Sequence, residues 1–169
     1  MLTTEQIQQL FCELNTELKK RGVTGEVGIC GGAVMCLVFK TRCTTKDVDG
    51  IFAPAPEMRE AIAAVGRRLG VREDWLNDAA KGFFTGNPPR EDVIGFSNLR
   101  VWAPTAEYML AMKCVSARYD SYDQDDIVFL LGHLKLRSAE EVFDVITKFY
   151  PENKVPTKTR FFLEELLRR

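Results

Sequence analysis

The stretch Gly31-Gly32-Ala33-Val34-Met35-Cys36-Leu37-Val38-Phe39, followed by Lys40-Thr41-Arg42-Cys43-Thr44-Thr45-Lys46 and then Asp47-Val48-Asp49-Gly50-Ile51-Phe52, decides how this chain is read. The alternating run Glu26-Val27-Gly28-Ile29 before it has strand character. The two glycines break that strand, and Ala33 to Phe39 is compact and apolar enough for a short buried helix. Residues 40–46 form a polar turn, and Asp47 to Phe52 is a second strand. Residues two apart on a strand face the same way, so Asp47 and Asp49 project together. Paired carboxylates suit Mg²⁺, a hard cation that takes oxygen ligands and keeps positions open for phosphate oxygens. The glycines let backbone N–H groups approach a phosphate closely at the start of a helix. One element thus offers to hold a polyphosphate and the other its neutralising metal, as phosphoryl and nucleotidyl transfer require. Alone, a Gly-Gly turn or an Asp-x-Asp is common. Their order, with an apolar helix between and Thr44-Thr45-Lys46 leading in, is what makes the pattern specific.

Working outward, residues before this stretch read as a helix with Ile7, Leu10, Phe11, Leu14 and Leu18 on one face. Thr3 and Gln6 form a capping box, and Gly22 closes the helix behind Lys19, Lys20 and Arg21. After Pro54 and Pro56, residues 58–69 are helical, with Gly70 as the stop. Residues 73–82, carrying Trp75, Leu76 and Ala79, read as another short helix, and residues 83–92 as a loop. Residues 93–103 hold one or two strands, Leu99-Arg100-Val101-Trp102 being the clearer. From Pro104 onward the pattern is helical, with a second capping box at Ser138 and Glu141. The expectation is an α+β fold: a small mixed sheet flanked by helices over residues 1–103, then a C-terminal helical bundle over residues 104–169.

Composition narrows the function classes. A net charge of −1 over 169 residues argues against a strongly basic nucleic-acid binder. No run approaches the ~18 apolar residues of a membrane span, and the N-terminal residues lack a signal-peptide pattern. The odd set Cys12, Cys30, Cys36, Cys43 and Cys114 has no paired spacing and reads as reduced thiols of a cytoplasmic protein. With His133 as the lone histidine, zinc has no ligand set.

The ordered strand, Gly-Gly, helix and Asp-x-Asp resembles the nucleotidyltransferase superfamily related to DNA polymerase beta. Residues 31–52, 74–83 and 108–131 are similar to small bacterial and archaeal nucleotidyltransferase-like proteins. They are also similar to nucleotidyltransferase toxins of abortive-infection systems. The resemblance implies Mg²⁺-dependent transfer of a nucleotide from a nucleoside triphosphate to an acceptor: RNA, protein or small molecule. It implies metal binding by Asp47 and Asp49, and a phosphate cradle at Gly31 and Gly32 with Thr45 and Lys46 beside it. Lys113 would reach the triphosphate, with Asp126 or Asp123 in the polar wall of the cleft. Read from the residues alone, Lys113 is a cation in an apolar helix, which points to a site role ahead of a side chain reaching out to solvent. Asp126 points to the site in the same way, Asp123 shares its helical face, and Asp120 and Asp125 equally suit a helix N-terminus.

Superfamily enzymes usually add a third carboxylate on a later strand. Residues 98–102 offer none; Asp78, Glu91 and Asp92 are the nearby substitutes. One alternative is therefore a nucleotide-binding or protein-interaction module on the same fold with its chemistry lost. Another is a toxin–antitoxin component acting on RNA, which needs a basic track from Lys40, Arg42, Lys46, Arg67, Arg68, Lys81 and Arg90. Trp75 and Trp102 are either base-stacking platforms or packing. The apolar face Phe161, Phe162, Leu166 and Leu167 docks on the bundle, or else serves a homodimer or cognate partner.

Overall fold

The computed structural model describes residues 1–117 and 121–168, so Arg118 and Asp120 lie outside the described residues. The chain packs as two compact units. One comprises Met1–Gly82 with Arg90–Pro104; the other comprises Phe83–Pro89 with Thr105 onward. The architecture is α+β, as the sequence pattern indicates.

In the first unit the elements run β1 (Leu2–Thr3), α1 (Thr4–Lys20), β2 (Gly25–Cys30), α2 (Gly31–Leu37), β3 (Thr44–Thr45), β4 (Val48–Ala53), α3 (Ala55–Leu69), β5 (Leu76–Asn77), β6 (Arg90–Gly95) and β7 (Leu99–Pro104). The main sheet is mixed, in the order β5-β4-β2-β7-β6. Strands β2 and β4 are antiparallel, β2 and β7 parallel, β4 and β5 parallel, and β6 and β7 antiparallel. The capping box at Thr3 is present: its hydroxyl accepts from the Gln6 N–H at 3.2 Å, and the Gln6 side chain accepts from the Thr3 N–H at 2.9 Å. The predicted stripe Ile7, Leu10, Phe11, Leu14 and Leu18 is buried, as are Met58, Ala61, Ile62 and Val65 of α3. Outside this apolar seam Arg68 spans α3 to α1, bonding Glu13 at 2.9 Å and Glu17 at 3.1 Å.

Four local expectations change. The helix after the glycines begins earlier than predicted, at Gly31, and ends at Leu37. Residues 40–46 are not wholly a turn: Thr44–Thr45 pairs antiparallel with Leu2–Thr3, and the Thr4 N–H donates to the Cys43 carbonyl at 3.3 Å. Residues 73–82 do not form the expected helix. Leu76–Asn77 is a strand on the open edge of β4, and a 3₁₀ turn follows at Ala79–Phe83. Tertiary demand overrides local propensity here. The Val48 N–H donates to the Trp75 carbonyl at 2.7 Å, the Trp75 indole N–H to the Ile62 carbonyl at 3.1 Å, and the Trp75 ring meets Phe11 edge-on at 5.6 Å. The loop expected over residues 83–92 gives way to β6 at Arg90.

The second unit contains α4 (Ala106–Ser116), α5 (Ser121–His133), α6 (Ala139–Thr147) and α7 (Thr157–Leu166). Helix α4 is buried almost all round, from Tyr108 to Cys114. Tyr108 anchors the Phe83–Pro89 segment: its hydroxyl accepts the Thr85 N–H at 2.8 Å, and its ring packs on Phe149 at 5.0 Å and Phe84 at 6.3 Å. The capping box at Ser138 opens α6 as predicted. Helix α7 buries Thr159 and Leu163 rather than the expected face, leaving Phe161 exposed and Phe162, Leu166 and Leu167 half-buried.

Gly66 shows how tightly α3 meets the chain that returns to β5. A Cβ there would stand 2.5 Å from the Arg72 carbonyl oxygen and 3.0 Å from the Glu73 Cα, both backbone atoms. Alanine would gain up to about 1 kcal/mol of helix propensity, but overpacking typically costs about 1–3 kcal/mol. Gly66→Ala is therefore expected to lower stability in urea unfolding; an unchanged or higher midpoint would mean that the returning turn yields.

Candidate functional site

The candidate site is assembled by the antiparallel register of β2 and β4, which sets Cys30 opposite Asp49 and Ile29 opposite Gly50. The chain leaves β2 through Gly31 in the left-handed region at φ +60°, a conformation that penalises any side chain. The Asp49 Oδ2 then lies 3.5 Å from the point a Gly31 Cβ would occupy. Gly32 is required for a second reason, since a Cβ there would collide with the Thr45 hydroxyl. That hydroxyl donates to the Asp47 carbonyl at 3.2 Å, stapling the lead-in to β4. Asp47 precedes β4 rather than lying in it. Half-buried Asp47, Asp49 and Ile51 nonetheless alternate with buried Val48 and Gly50, the pattern of a shared face. Gly31, Gly32, Thr45, Asp47 and Asp49 are thus gathered in one place.

Strand β7 cannot supply a carboxylate next to Asp49, because β2 lies between β7 and β4. The positions flanking Asp49 are Cys30 on β2 and Asn77 on β5. Cys30 is buried, and its thiol donates weakly to the Asp49 carbonyl at 3.6 Å. The Asn77 side-chain oxygen accepts the Ala79 N–H at 3.0 Å. The substitutes considered from sequence are otherwise engaged: Asp78 pairs with Arg59 at 2.7 Å, and Asp92 grips Arg100 at 2.9 and 3.1 Å. Glu91 is exposed on β6. No group of three or more His, Cys, Asp or Glu side chains suited to a metal occurs among the described residues. A pair of carboxylates is a donor set that would suit an Mg²⁺ arriving with a triphosphate, since this ion commonly takes one or two protein carboxylates and completes its shell with phosphates and water.

Of the basic residues near the glycines, Lys46 is exposed, and its charge acts on Asp74, whose pKa is lowered chiefly by hydrogen bonds from Arg72 and slightly by Lys46. Arg72 is held by Asp74 at 2.8 and 2.6 Å; that pair raises its pKa, with a smaller contribution from Asp47. The Arg42 Nη1 lies 3.5 Å from the Cβ point of Gly32. The family resemblance implies Lys46 beside the cradle, and the sequence includes Arg42 only in a diffuse basic track. The backward reach of Arg42 depends on the turn before β3, which periodicity does not reveal.

In the second unit Lys113 and Asp126 do come together. The Lys113 ammonium lies 2.6 Å from Asp123 and 2.8 Å from Asp126. Lys113 and Asp126 are 8 % and 2 % exposed. Burial alone would lower the Lys113 pKa, but the Asp126 charge and the hydrogen bonds with both carboxylates outweigh it and raise the value. The two tryptophans are packed. Trp75 lies in the core, and Trp102 is laid on Gly28, donates to Glu26 at 2.7 Å and carries the Arg90 guanidinium 4.8 Å above its ring. Burial pushes the Cys114 thiol up to about 12, in keeping with a core residue rather than a nucleophile. A cavity of about 250 Å³ borders β5, lined by Phe52, Arg59, Ile62 and Asn77 among others, but not by Asp47 or Asp49.

Comparisons with protein-family models, curated proteins and solved structures give no match. The chain is described by its own geometry: an α+β protein with a carboxylate-bearing strand folded against a glycine pair.

Removing Lys113 would strand a buried carboxylate, so Lys113→Met is expected to cost about 3–5 kcal/mol in urea unfolding at neutral pH. Because the folded Lys113 pKa is raised, its contribution is full below the ordinary value of 10.5 and is lost as pH climbs through the higher folded value. A loss well under 1 kcal/mol would show that the pair adds little beyond its own desolvation.

Proposed function

We propose that the first unit binds a nucleoside triphosphate together with Mg²⁺ and transfers the nucleotide to an acceptor. The observation that carries this reading is the approach of the Asp49 carboxylate to Gly31, 3.5 Å from its Cβ point, with Thr45 closed over Gly32. A carboxylate beside bare backbone amides is poorly placed for a simple anion site, but well placed when a cation accompanies the anion. In this reading Asp47 and Asp49 hold the Mg²⁺, which would neutralise charge on the phosphates. Gly31 and Gly32 give the phosphate chain its close approach, and Thr45 keeps the lead-in to β4 in register. An acceptor oxygen bonds to the α-phosphorus in line as the bond to the bridging oxygen breaks. Pyrophosphate leaves, and the acceptor proton passes to water. The buried Lys113–Asp123–Asp126 cluster is assigned to the stability of the second unit.

A second reading, a nucleotide-binding module without transfer, draws on Cys30 and Asn77 flanking Asp49 where a further carboxylate would assist a base or second metal. The RNA-directed reading has less support. Within its basic track Arg67 pairs with Glu73, Arg68 with Glu13 and Glu17, and Arg90 with Glu26, which leaves less charge for phosphates.

Calorimetric titration with ATP, GTP, CTP and UTP, with and without Mg²⁺, tests the site. At least one triphosphate is expected to bind only with Mg²⁺, and Asp47→Asn/Asp49→Asn should weaken it roughly tenfold or more. Binding that ignores both the metal and the double variant would sink the assignment. Transfer of label from an α-labelled triphosphate to protein, RNA or small-molecule acceptors then separates the enzyme from the module.

A further inference from the structure

We infer that Asn77 donates a hydrogen bond from its side-chain amide to an oxygen of the bound triphosphate, an inference that rests on the nucleotide reading above. Strand β5 places Asn77 directly beside Asp49, about 4.8 Å away across the parallel pair, so the two side chains share a face of the sheet. The Asn77 Oδ1 is already occupied: it accepts the Ala79 N–H at 3.0 Å, which closes the turn out of β5. A planar amide held by its oxygen has its Nδ2 oriented as well, and that group can only donate. Among the described residues no protein group accepts from it. Asp49 and Arg42, by contrast, each have interactions of their own.

The neighbouring uncharged donors are committed to the protein. Cys30, on the other side of Asp49, is buried and turns its thiol to the Asp49 carbonyl. Thr45 turns its hydroxyl to the Asp47 carbonyl. Asn77 is half-buried and also lines the cavity beside β5, so open space reaches it without full exposure to water. Gly31 follows Cys30 on β2, so Asn77 and the glycine pair stand on opposite sides of Asp49, roughly 10 Å apart across two strand spacings. An extended triphosphate lying at the glycines can bridge that span, which brings its far end to Asn77. A donor gains more from an anionic acceptor than from a neutral one, and phosphate oxygens are such acceptors.

The test is calorimetry with the Mg²⁺ complexes of ATP, GTP, CTP and UTP on the wild type, Asn77→Ser, Asn77→Asp and Asp47→Asn/Asp49→Asn, with thermal melting of every variant. Serine and aspartate both keep an oxygen for the Ala79 N–H, so the turn is retained while the amide donor is lost. Asn77→Ser is expected to weaken binding roughly tenfold, with a melting temperature near that of the wild type. Asn77→Asp should weaken it further, because a carboxylate then faces phosphate oxygens. Wild-type affinity in both Asn77 variants, with binding weakened in the double Asp variant, would overturn the role of Asn77 and leave the site standing. Tighter binding by Asn77→Asp would overturn it in favour of a metal-ligand position. Weaker binding and a lowered melting temperature in Asn77→Ser, with Asn77→Asp behaving as the wild type, would overturn it in favour of a turn residue. Absence of binding by the wild type to all four triphosphates would overturn both this inference and the reading beneath it.

Discussion

The first unit depends on the antiparallel pairing of β2 with β4. Its register sets Glu26 opposite Ala53 and carries through to Cys30 opposite Asp49, so the end of one strand and the beginning of the other are held level. At that level the chain must leave β2 without obstructing what β4 presents, and Gly31 in the left-handed region followed by bare Gly32 achieves this. A slip of one residue would turn Asp49 towards the helices and Val48 towards solvent. Because Val48 is fully buried, the core enforces the same register that the site needs. The short sheet of β1 and β3 adds a second restraint by fixing Thr44 and Thr45 just ahead of Asp47.

Electrostatics in this chain are settled locally. Arg21, Arg59, Arg67, Arg68, Arg72, Arg90 and Arg100 each meet a carboxylate within hydrogen-bonding distance. The near-zero net charge reflects a balance of 23 Lys and Arg against 24 Asp and Glu rather than a scarcity of charge. Most of these pairs are exposed and individually add little stability. Glu17, held by Arg21 and Arg68, is an example of what they do instead: hydrogen bonding from Arg21 first, and from Arg68 next, keeps its carboxyl below the usual range and ties α1 to α3.

Much of the fold was legible because its signals are local. The capping boxes at Thr3 and Ser138 depend on residues three apart, and the stripe of α1 depends on a single helical period. The glycine pair and Asp-x-Asp were legible for the same reason. What escaped was decided by partners distant in sequence. Trp75 and Leu76 look helical beside Ala79 and Ala80, yet the bare edge of β4 draws them into a strand. Thr44 and Thr45 look like turn residues until Leu2 and Thr3 are placed against them. Asn77 and Cys30 beside Asp49, and Arg42 over Gly32, likewise emerge only once strand order and turn geometry are known. Periodicity could place Lys113 on a helix, but not between two carboxylates.

The short segment Phe83–Pro89 belongs to the second unit although the first unit both precedes and follows it. Thr85 is bonded to the Tyr108 hydroxyl, and the Phe83 carbonyl accepts from the hydroxyl of Tyr150. As a ribosome delivers the chain from its N-terminus, β6 and β7 can complete the sheet while this segment still lacks its partners. Tyr150 emerges some tens of residues later, at a few residues per second or faster. Vectorial synthesis thus imposes an order of assembly: the nascent chain can close its sheet first and must hold an unsatisfied loop until the helices that anchor it have been made.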